Sequence, residues 1–295
     1  TIERGQHLGD IAAKLQRLGM VRSDLFFVLY ARYRGLQSAL QAGSYHLSGH
    51  MSAIDVLEKI VSGDAVFNEI TVTIPEGFTL EQIAARFEEV GLFSREEFEA
   101  AAVVKEEFRD LWALAPLPEG KILEGYLFPD TYRIFPTSTP DTVIRRMVEH
   151  LQRVIDGRIM ADIEASEHTL HEILTLASIV QKESPEWDMP AIAGVFWNRL
   201  EIGQPLESDA TVNYVLGTSN LQPTFRDTEV QHPYNTYRNP GLPPGPIGNP
   251  GLAAIDGTIH PDEHDFYFFL HKPTLETVFS RTFQEHLAAK ARYLD

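Results

Sequence analysis

Apolar residues follow a helical spacing close to the start of the chain, and the same pattern returns 72 positions further on. Leu8, Ile11 and Leu15 share one helical face, as do the residues that align with them. Eight aligned pairs are identical, namely Ile2, Gly5, Leu8, Ile11, Ala12, Ala13, Gly19 and Phe26 with Ile74, Gly77, Leu80, Ile83, Ala84, Ala85, Gly91 and Phe98. The chain therefore contains an internal repeat whose unit is a helix that ends at a glycine.

Further elements surround the two copies of the repeat. A serine N-cap followed by an acidic residue predicts a second helix in each copy, over Ser23–Arg34 and Ser94–Ala101. Ser52–Ser62 has its apolar residues on one face and predicts another helix. Gly43–Leu47 and Phe67–Ile74 are predicted strands. The first third of the chain is thus expected to combine helices with short strands.

The Gly-x-x-Leu-x-x-Ile-Ala helix beside short strands resembles the LysM-type glycan-binding module. The alternative is a generic βα unit that packs for stability alone. Pro116–Gly120 is typical of a loop or linker, and aromatic residues, prolines and Asn-Pro-Gly turns become frequent after it. We therefore expect an α+β chain, with a LysM-like subdomain over residues 1–74, a second LysM-like repeat unit and linker over residues 75–116, and a larger mixed α/β domain over residues 117–295.

A helix predicted over His171–Glu183 places one carboxyl group beside apolar residues. Ile173 and Leu176 belong to its buried stripe, and Glu183 lies at the edge of that face. Pro185 disfavours helical geometry at the residue before it, so the helix should end near Glu183. Burial and the negative end of the helix dipole both raise the pKa of a carboxyl group. A general acid for glycosidic cleavage needs such a pKa, although many glutamates at helix ends are simply solvated.

Composition narrows the classes of ligand. The formal net charge of −17 disfavours nucleic acid and electrostatic docking to anionic lipid, whereas a neutral glycan remains compatible. The chain has no cysteine, which excludes disulfides and thiolate metal sites. His260, His264 and His271 lack metal-ligand spacing and predict a solvated loop. No metal and no cofactor are therefore expected.

Seven motifs follow one another along the chain. They are Glu124-Gly-Tyr-Leu-Phe-Pro-Asp-Thr-Tyr132, Leu176-Ala-Ser-Ile-Val-Gln-Lys-Glu183, Ala193-Gly-Val-Phe-Trp-Asn-Arg-Leu200, Leu206-Glu-Ser-Asp-Ala-Thr-Val-Asn-Tyr214, Tyr234-Asn-Thr-Tyr237, Gly241-Leu-Pro-Pro-Gly-Pro-Ile247 and Asn249-Pro-Gly251. Together they resemble the signature of the YceG-like family, the MltG-type endolytic murein transglycosylases. The resemblance covers essentially the whole chain, and it is the ordered set of motifs that makes it specific.

The resemblance implies that Glu183 is the catalytic residue of a lytic transglycosylase, a lyase that cleaves the MurNAc–GlcNAc bond of peptidoglycan and leaves 1,6-anhydromuramic acid ends. Termination of nascent strands and coupling to peptidoglycan synthases are implied in the same way. Gln181 departs from the family, which has Glu-Lys-Glu at this point. The start of the chain at Thr1, inside a patterned segment, predicts a missing single-pass anchor that places this chain on the periplasmic, extracytoplasmic side of the membrane.

Two alternatives to the lytic reaction stay open. A hydrolase needs a second carboxylate, for which Glu186, Asp188, Glu207 and Asp209 are candidates, and no pair stands out. Asp188 suits the N-cap of the following helix, and Ser208 or Asp209 suits the start of the next one. The other alternative is a non-catalytic scaffold that binds the cell wall and recruits partners.

Aromatic and amide side chains predict a sugar-binding cleft in the last third of the chain. The candidate substrate-binding residues are Tyr234, Asn235, Tyr237, Asn249 and Asp209. The alternative for the two asparagines is that they stabilise turns through Asx geometry.

Overall fold

The structure is a computed structural model that describes residues 2, 6–63, 69–184, 186–218 and 223–294. It divides into two compact units. Unit 1 comprises Thr1–Ile70 and Arg133–Thr137, and unit 2 comprises Thr71–Tyr132 and Ser138–Asp295. Among the described residues, no helix is both long enough and apolar enough to cross a membrane.

Unit 1 is built on three helices: α1 (Leu8–Arg17), α2 (Asp24–Tyr33) and α3 (Ala53–Ser62). Ser23 caps α2 as predicted, and Ser52 caps α3 in the same way, because their hydroxyls accept backbone N–H groups that the first turn leaves without partners. The three helices bury one apolar cluster, which includes Ile11, Leu15, Phe27, Ala31, Val56, Leu57 and Ile60.

The predicted strands are only partly present. Within Gly43–Leu47 the backbone pairs at Gly43 alone, through two 2.8 Å hydrogen bonds with Ile2, so the prediction of a full strand there was wrong. The second strand, β1, covers Ile70–Thr73, whereas its predicted start at Phe67 lies outside the described residues. It forms a two-stranded sheet with β2 (Thr131–Ile134).

The internal repeat reappears in the backbone, in α4 (Leu80–Glu89) and α5 (Arg95–Ala101) of unit 2. Gly19 after α1 and Gly91 after α4 adopt the same left-handed conformation, with φ of 71° and 72°. Each donates a 2.9 Å hydrogen bond to a carbonyl three residues earlier. The match confirms the repeat from the first helix onward, while its first glycine, Gly5, lies outside the described residues. The LysM-like character of both copies stays a prediction.

The rest of unit 2 is mainly helical. Its remaining elements are α6 (Pro140–Val154), α7 (Gly157–Ala165), α8 (Leu170–Glu183), α9 (Met189–Glu201), α10 (Asp209–Leu216), α11 (Leu252–Ile259), α12 (Phe283–Tyr293) and the antiparallel strands β3 (Phe268–His271) and β4 (Thr277–Ser280). Helices α8, α9 and α11 pack on one another, and α10 packs on α8. The expected linker Pro116–Gly120 forms turns within unit 2, and Leu117 is buried there. These helices set the position of the candidate site.

Candidate active site

Glu183 is the last residue of α8, as the sequence predicted. The helix starts at a capping box between Thr169 and Glu172, and an unbroken buried stretch from Ile173 to Val180 fixes it in the core. Ser184 is extended, with φ of −135°, and ends the helix. Glu183 itself is half-buried, so a core helix presents this carboxyl group at the edge of the apolar interior.

The carboxyl group of Glu183 meets the N-terminal end of α10. The Ser208 hydroxyl donates a short hydrogen bond to it, and the backbone N–H of Ala210 donates another. Burial is the largest influence on the pKa of Glu183 and raises it, and the charge of Asp209 raises it further. The two donors and the charge of Arg199 act in the opposite direction without cancelling the effect of burial.

Two threonines hold Ser208 in place. The Ser208 N–H donates to Thr236 Oγ1 at 3.0 Å, and Thr236 Oγ1 lies 2.9 Å from Thr211 Oγ1. Glu207, just before Ser208, has a left-handed φ of 50° that few residues other than glycine adopt. Its N–H donates to the Thr236 carbonyl at 3.2 Å. The segment that carries Ser208 is thus fixed to the Tyr234–Tyr237 motif.

Arg199 is a buried cation behind the site. Its guanidinium donates to the carbonyls of Tyr267 and Leu206, both at 2.6 Å, and its Nη1 lies 3.8 Å from Glu207. These hydrogen bonds connect α9 to Leu206, shortly before α10, and to Tyr267, the residue before β3. Because its charge also lowers the pKa of Glu183, Arg199 has both a structural and an electrostatic effect on the site.

His271 lies on β3 and is partly buried, so the prediction of a solvated loop was wrong for this residue. Its Nε2 donates to the backbone carbonyl of Glu183 at 2.8 Å, and its Nδ1 lies 3.0 Å from the Thr277 hydroxyl. Thr277 in turn donates to the Asp188 carboxylate. His271 therefore satisfies a carbonyl at the C-terminus of α8, next to the candidate acid.

Tyr237 and Asp209 are electrostatically coupled to Glu183: the charge of Asp209 raises the pKa of Glu183, and the charges of Asp209 and Glu183 raise the pKa of Tyr237. The Tyr237 hydroxyl donates to Asp209 Oδ1 at 2.6 Å. Tyr234 forms an aromatic pair with Tyr214 of α10, with ring centroids 5.2 Å apart. Of the five predicted substrate-binding residues, Asp209 thus begins α10 and Tyr234 and Tyr237 contact that helix, and their contact with a glycan stays a prediction.

Asn235 and Asn249 are buried and use their amides internally. Asn235 donates to the carbonyls of Thr228 and Val230 and accepts from the Tyr237 N–H at 3.0 Å, which is Asx geometry. Asn249 accepts from the Leu127 N–H at 2.9 Å and donates to the Phe78 carbonyl and to Glu124. These contacts give both asparagines a framing role. Their contact with a glycan is untested.

The carboxylates considered as partners for Glu183 have different surroundings. Asp188 stands at the N-cap of α9 but makes no capping bond, because its carboxylate binds Thr277 instead, so the predicted capping was wrong. Glu207 is half-exposed. Asp209 is the one of these three whose charge reaches Glu183. The side chain of Glu186 lies outside the described part of the structure.

Gln181 has a structural contact. Its Oε1 accepts the Gly251 N–H at 2.9 Å, at the N-terminus of α11. Within the described residues, no group of three or more His, Asp or Glu is arranged to hold a metal ion.

The sequence analysis assigned no role in the site to four residues of this region, namely Ser208, Arg199, His271 and Glu124. All except His271 occur in motifs that the sequence analysis quoted, and this was the signal that could have found them. Their roles depend on partners far away in sequence, such as the 25 positions between Ser208 and Glu183.

A carboxyl group with a raised pKa is what an enzyme that cleaves glycosidic bonds needs as its general acid. The sequence profile of the YceG-like family matches residues 1–292. A protein of Bacillus subtilis named endolytic murein transglycosylase is 34% identical, over 99% of this chain and 84% of its own. A protein of the same name from Streptococcus pneumoniae is 33% identical over 96% of this chain, which spans 56% of that relative.

A crystal structure of a YceG-like protein from Listeria monocytogenes has the same fold. It is 31% identical with a TM-score of 0.67, and the match covers 97% of this chain and 96% of that one. The chain described here belongs to the YceG-like family.

Proposed function

We propose that this protein is an endolytic murein transglycosylase, a lyase that cuts the MurNAc–GlcNAc bond within peptidoglycan strands. The proposal agrees with the names of its relatives in Bacillus and Streptococcus. The observation that carries it is the position of Glu183, a single carboxyl group whose pKa is raised by burial at the end of a core helix. No metal or cofactor is required.

The reaction uses Glu183 twice. Its carboxylic acid first protonates the glycosidic oxygen, and the C1–O bond of the muramic acid residue breaks. The 6-hydroxyl of the same muramic acid attacks C1, and the Glu183 carboxylate accepts the proton of that hydroxyl. The strand then has a 1,6-anhydromuramic acid end and a free 4-hydroxyl on the departing sugar, and Glu183 has recovered its proton. Water is not consumed.

Ser208 and Ala210 assist the second half of this cycle. Their hydrogen bonds stabilise the carboxylate, which forms when Glu183 gives up its proton. Burial opposes that charge and keeps the group protonated at the start. The site therefore makes both the protonated and the ionised form of Glu183 accessible. A single residue needs both forms in order to act first as acid and then as base.

Tyr234, Tyr237 and Asp209 are proposed to bind the glycan. Tyrosine rings stack on sugar faces, and the Asp209–Tyr237 hydrogen bond fixes a polar edge close to Glu183. Asn235 and Asn249 contribute by holding the loops that carry this surface.

Hydrolysis by two carboxylates is the competing reaction, and Asp209 is its best-placed second carboxylate because its charge acts on Glu183. The Asp209 carboxylate already accepts from Tyr237. The products separate the two reactions, since hydrolysis leaves reducing ends and the lytic reaction leaves anhydro ends.

Replacement of Glu183 by glutamine tests the proposal, with Glu172→Gln as the matched control on the same helix. Glutamine keeps the shape of Glu183 but cannot transfer the proton, so anhydromuropeptide release from purified sacculi should fall by ~10²–10⁴-fold or more. Glutamine at position 172 can still complete the capping box and should leave turnover unchanged. Both variants should have melting temperatures close to that of the wild type. Near-normal release by Glu183→Gln would remove it from the mechanism.

Unit 1 is proposed to hold glycan through its LysM-like fold. A cavity of about 610 Å³ lies within this unit and is lined by His7, Leu8, Gly9, Arg32 and Gln37. Its polar donors suit sugar hydroxyls. An extracytoplasmic location, a membrane anchor outside this chain and coupling to peptidoglycan synthases belong to the same proposal and rest on family membership. Sequencing of the complete reading frame tests the anchor, because an apolar span must then precede Thr1.

A further inference from the structure

Glu124 is a buried carboxyl group that the reaction above does not use. It is 7% exposed, and it is the only Asp or Glu among the described residues whose side chain is this deeply buried. It precedes Gly125, whose φ of 87° turns the chain away. A charged group in such a place requires specific partners, since burial without them is strongly unfavourable.

The partners of Glu124 come from three separate segments of unit 2. The Leu80 N–H, at the start of α4, donates to both carboxyl oxygens at 3.0 and 3.1 Å. The Asn249 amide donates to Oε1 at 3.1 Å, and the Tyr214 hydroxyl donates to Oε2 at 3.4 Å. All three partners donate, so this arrangement fits the ionised carboxylate.

Protonation of Glu124 changes one of these bonds. Burial raises the pKa of Glu124 to about 7, so both states are populated near neutral pH. The Leu80 N–H and the Asn249 amide nitrogen can only donate, whereas the Tyr214 hydroxyl can donate or accept. A proton on Oε2 would therefore reverse the bond to Tyr214 and leave the other two in place.

Tyr214 connects Glu124 to the glycan site. It lies on α10, the helix whose first turn binds the Glu183 carboxyl group. Its ring pairs with that of Tyr234, a predicted glycan-binding residue. The ionisable groups that face Glu124 are Tyr214 and Lys182 on α8. The charge of Glu124 also acts on Tyr234, whose pKa it raises.

We propose that Glu124 is a positioning residue that acts through Tyr214. As a carboxylate it fixes the Tyr214 hydroxyl, and with it the Tyr214–Tyr234 pair against which the glycan binds. When Glu124 takes up a proton, the Tyr214 hydroxyl must turn to accept instead of donate, which shifts the Tyr214–Tyr234 pair and weakens glycan binding, while the chemistry at Glu183 continues. The inference rests on the proposed function for the identity of the glycan.

The test compares Glu124→Gln and Tyr214→Phe with Tyr132→Phe as the matched control. Tyr132→Phe also removes a buried tyrosine hydroxyl from unit 2, but that hydroxyl binds the Phe128 carbonyl and not Glu124. KM and kcat are measured on uncrosslinked glycan strands at pH values on both sides of 7. Melting temperatures verify that each variant folds. If Glu124→Gln does not fold, the test rests on Tyr214→Phe.

The wild type and Tyr132→Phe should show KM falling as pH rises through about 7. Glu124→Gln and Tyr214→Phe should have KM raised roughly three- to tenfold above that pH and no such titration, with the kcat profile unchanged. The inference is overturned if Tyr214→Phe keeps the wild-type pH dependence of KM, or if kcat falls in place of KM.

The proposed function and this inference fail differently. If the wild type releases no anhydro products, the lytic reaction is wrong, and the same pH series is then measured as affinity of Glu183→Gln for glycan strands. A pH-dependent affinity that Tyr214→Phe abolishes still supports the positioning role. An affinity without pH dependence, or none at all, contradicts it.

Discussion

Ser208 adjusts the ionisation of Glu183, the proposed catalytic acid, without itself reacting. Its hydroxyl donates to the Glu183 carboxyl group and lowers the pKa that burial has raised. In the proposed reaction the protonated form of Glu183 acts first, so activity should be lost as pH rises through its pKa. The upper limb of the rate–pH profile therefore reports the pKa of Glu183.

Ser208→Ala removes a donor to the carboxylate and should raise the pKa of Glu183 further. The upper limb of the kcat–pH profile should move to higher pH by about one unit, the equivalent of one hydrogen bond to a charged group. Ser166→Ala removes a hydroxyl whose partners are both local, the Ile163 carbonyl and the His168 N–H, so it is the control and should leave the limb in place. A downward shift in Ser208→Ala would show that the hydroxyl does not stabilise the carboxylate.

At the scale of elements, close packing of α9 depends on a glycine. A Cβ atom at Gly194 would lie 2.5 Å from the Asp262 carbonyl oxygen and 2.9 Å from His264 Nε2. The segment that it would displace leads into β3, which carries His271. Gly157, the first residue of α7, has no atom within 4 Å of such a Cβ.

Gly194→Ala should therefore destabilise unit 2 by about 1–3 kcal/mol, because α9 must move away from a backbone carbonyl. Gly157→Ala should be neutral or stabilising by up to ~1 kcal/mol, since alanine favours a helix and meets nothing. Denaturant unfolding of both variants gives the comparison. Equal stability of the two would contradict the packing described for α9.

Helices were predictable from the sequence because their signals are local. The capping serines of α2 and α3, the glycines after α1 and α4 and the end of α8 at Glu183 all follow from neighbours within a few positions. The strand expected over Gly43–Leu47 depends on a distant partner, and within the part of the chain that the structure describes only Ile2 pairs with it, at Gly43.

The site was predictable only in part for the same physical reason. Glu183 and the start of α10 were found from spacing and motif, but the hydrogen bond that joins them was not. Asp188 looked like an N-cap, yet Thr277, far away in sequence, takes its carboxylate. Asn235 and Asn249 had two open roles; their buried amides make the contacts of a framing role, and contact with a glycan stays a prediction.

At the scale of the whole molecule, the cavity proposed to retain the cell wall and the proposed acid lie in different units. The cavity lined by Arg32 and Gln37 lies in unit 1, while Glu183 lies in unit 2. If unit 1 retains the glycan, its loss should weaken binding to the wall without changing the chemical step. The two functions should then be separable by substitution.

A double substitution, Arg32→Ala with Gln37→Ala, tests this separation. In a Glu183→Gln background it should lower affinity for sacculi by roughly tenfold, as loss of two polar contacts suggests. Arg17→Ala, an exposed cation of α1 outside the cavity, is the control and should bind normally. With Glu183 intact, kcat on short glycan strands should be unchanged. Unaltered sacculus binding by the double variant would remove the cavity from glycan recognition.

The central claim is that one carboxyl group cleaves the strand without water. Digestion of purified glycan strands in oxygen-18-labelled water, followed by mass spectrometry, tests it most directly. The account predicts new ends that are 1,6-anhydromuramic acid and contain no heavy oxygen, and it predicts that Glu183→Gln forms none of them. Reducing ends that carry heavy oxygen would contradict it, because water would then be the nucleophile and a second carboxylate would have to activate it.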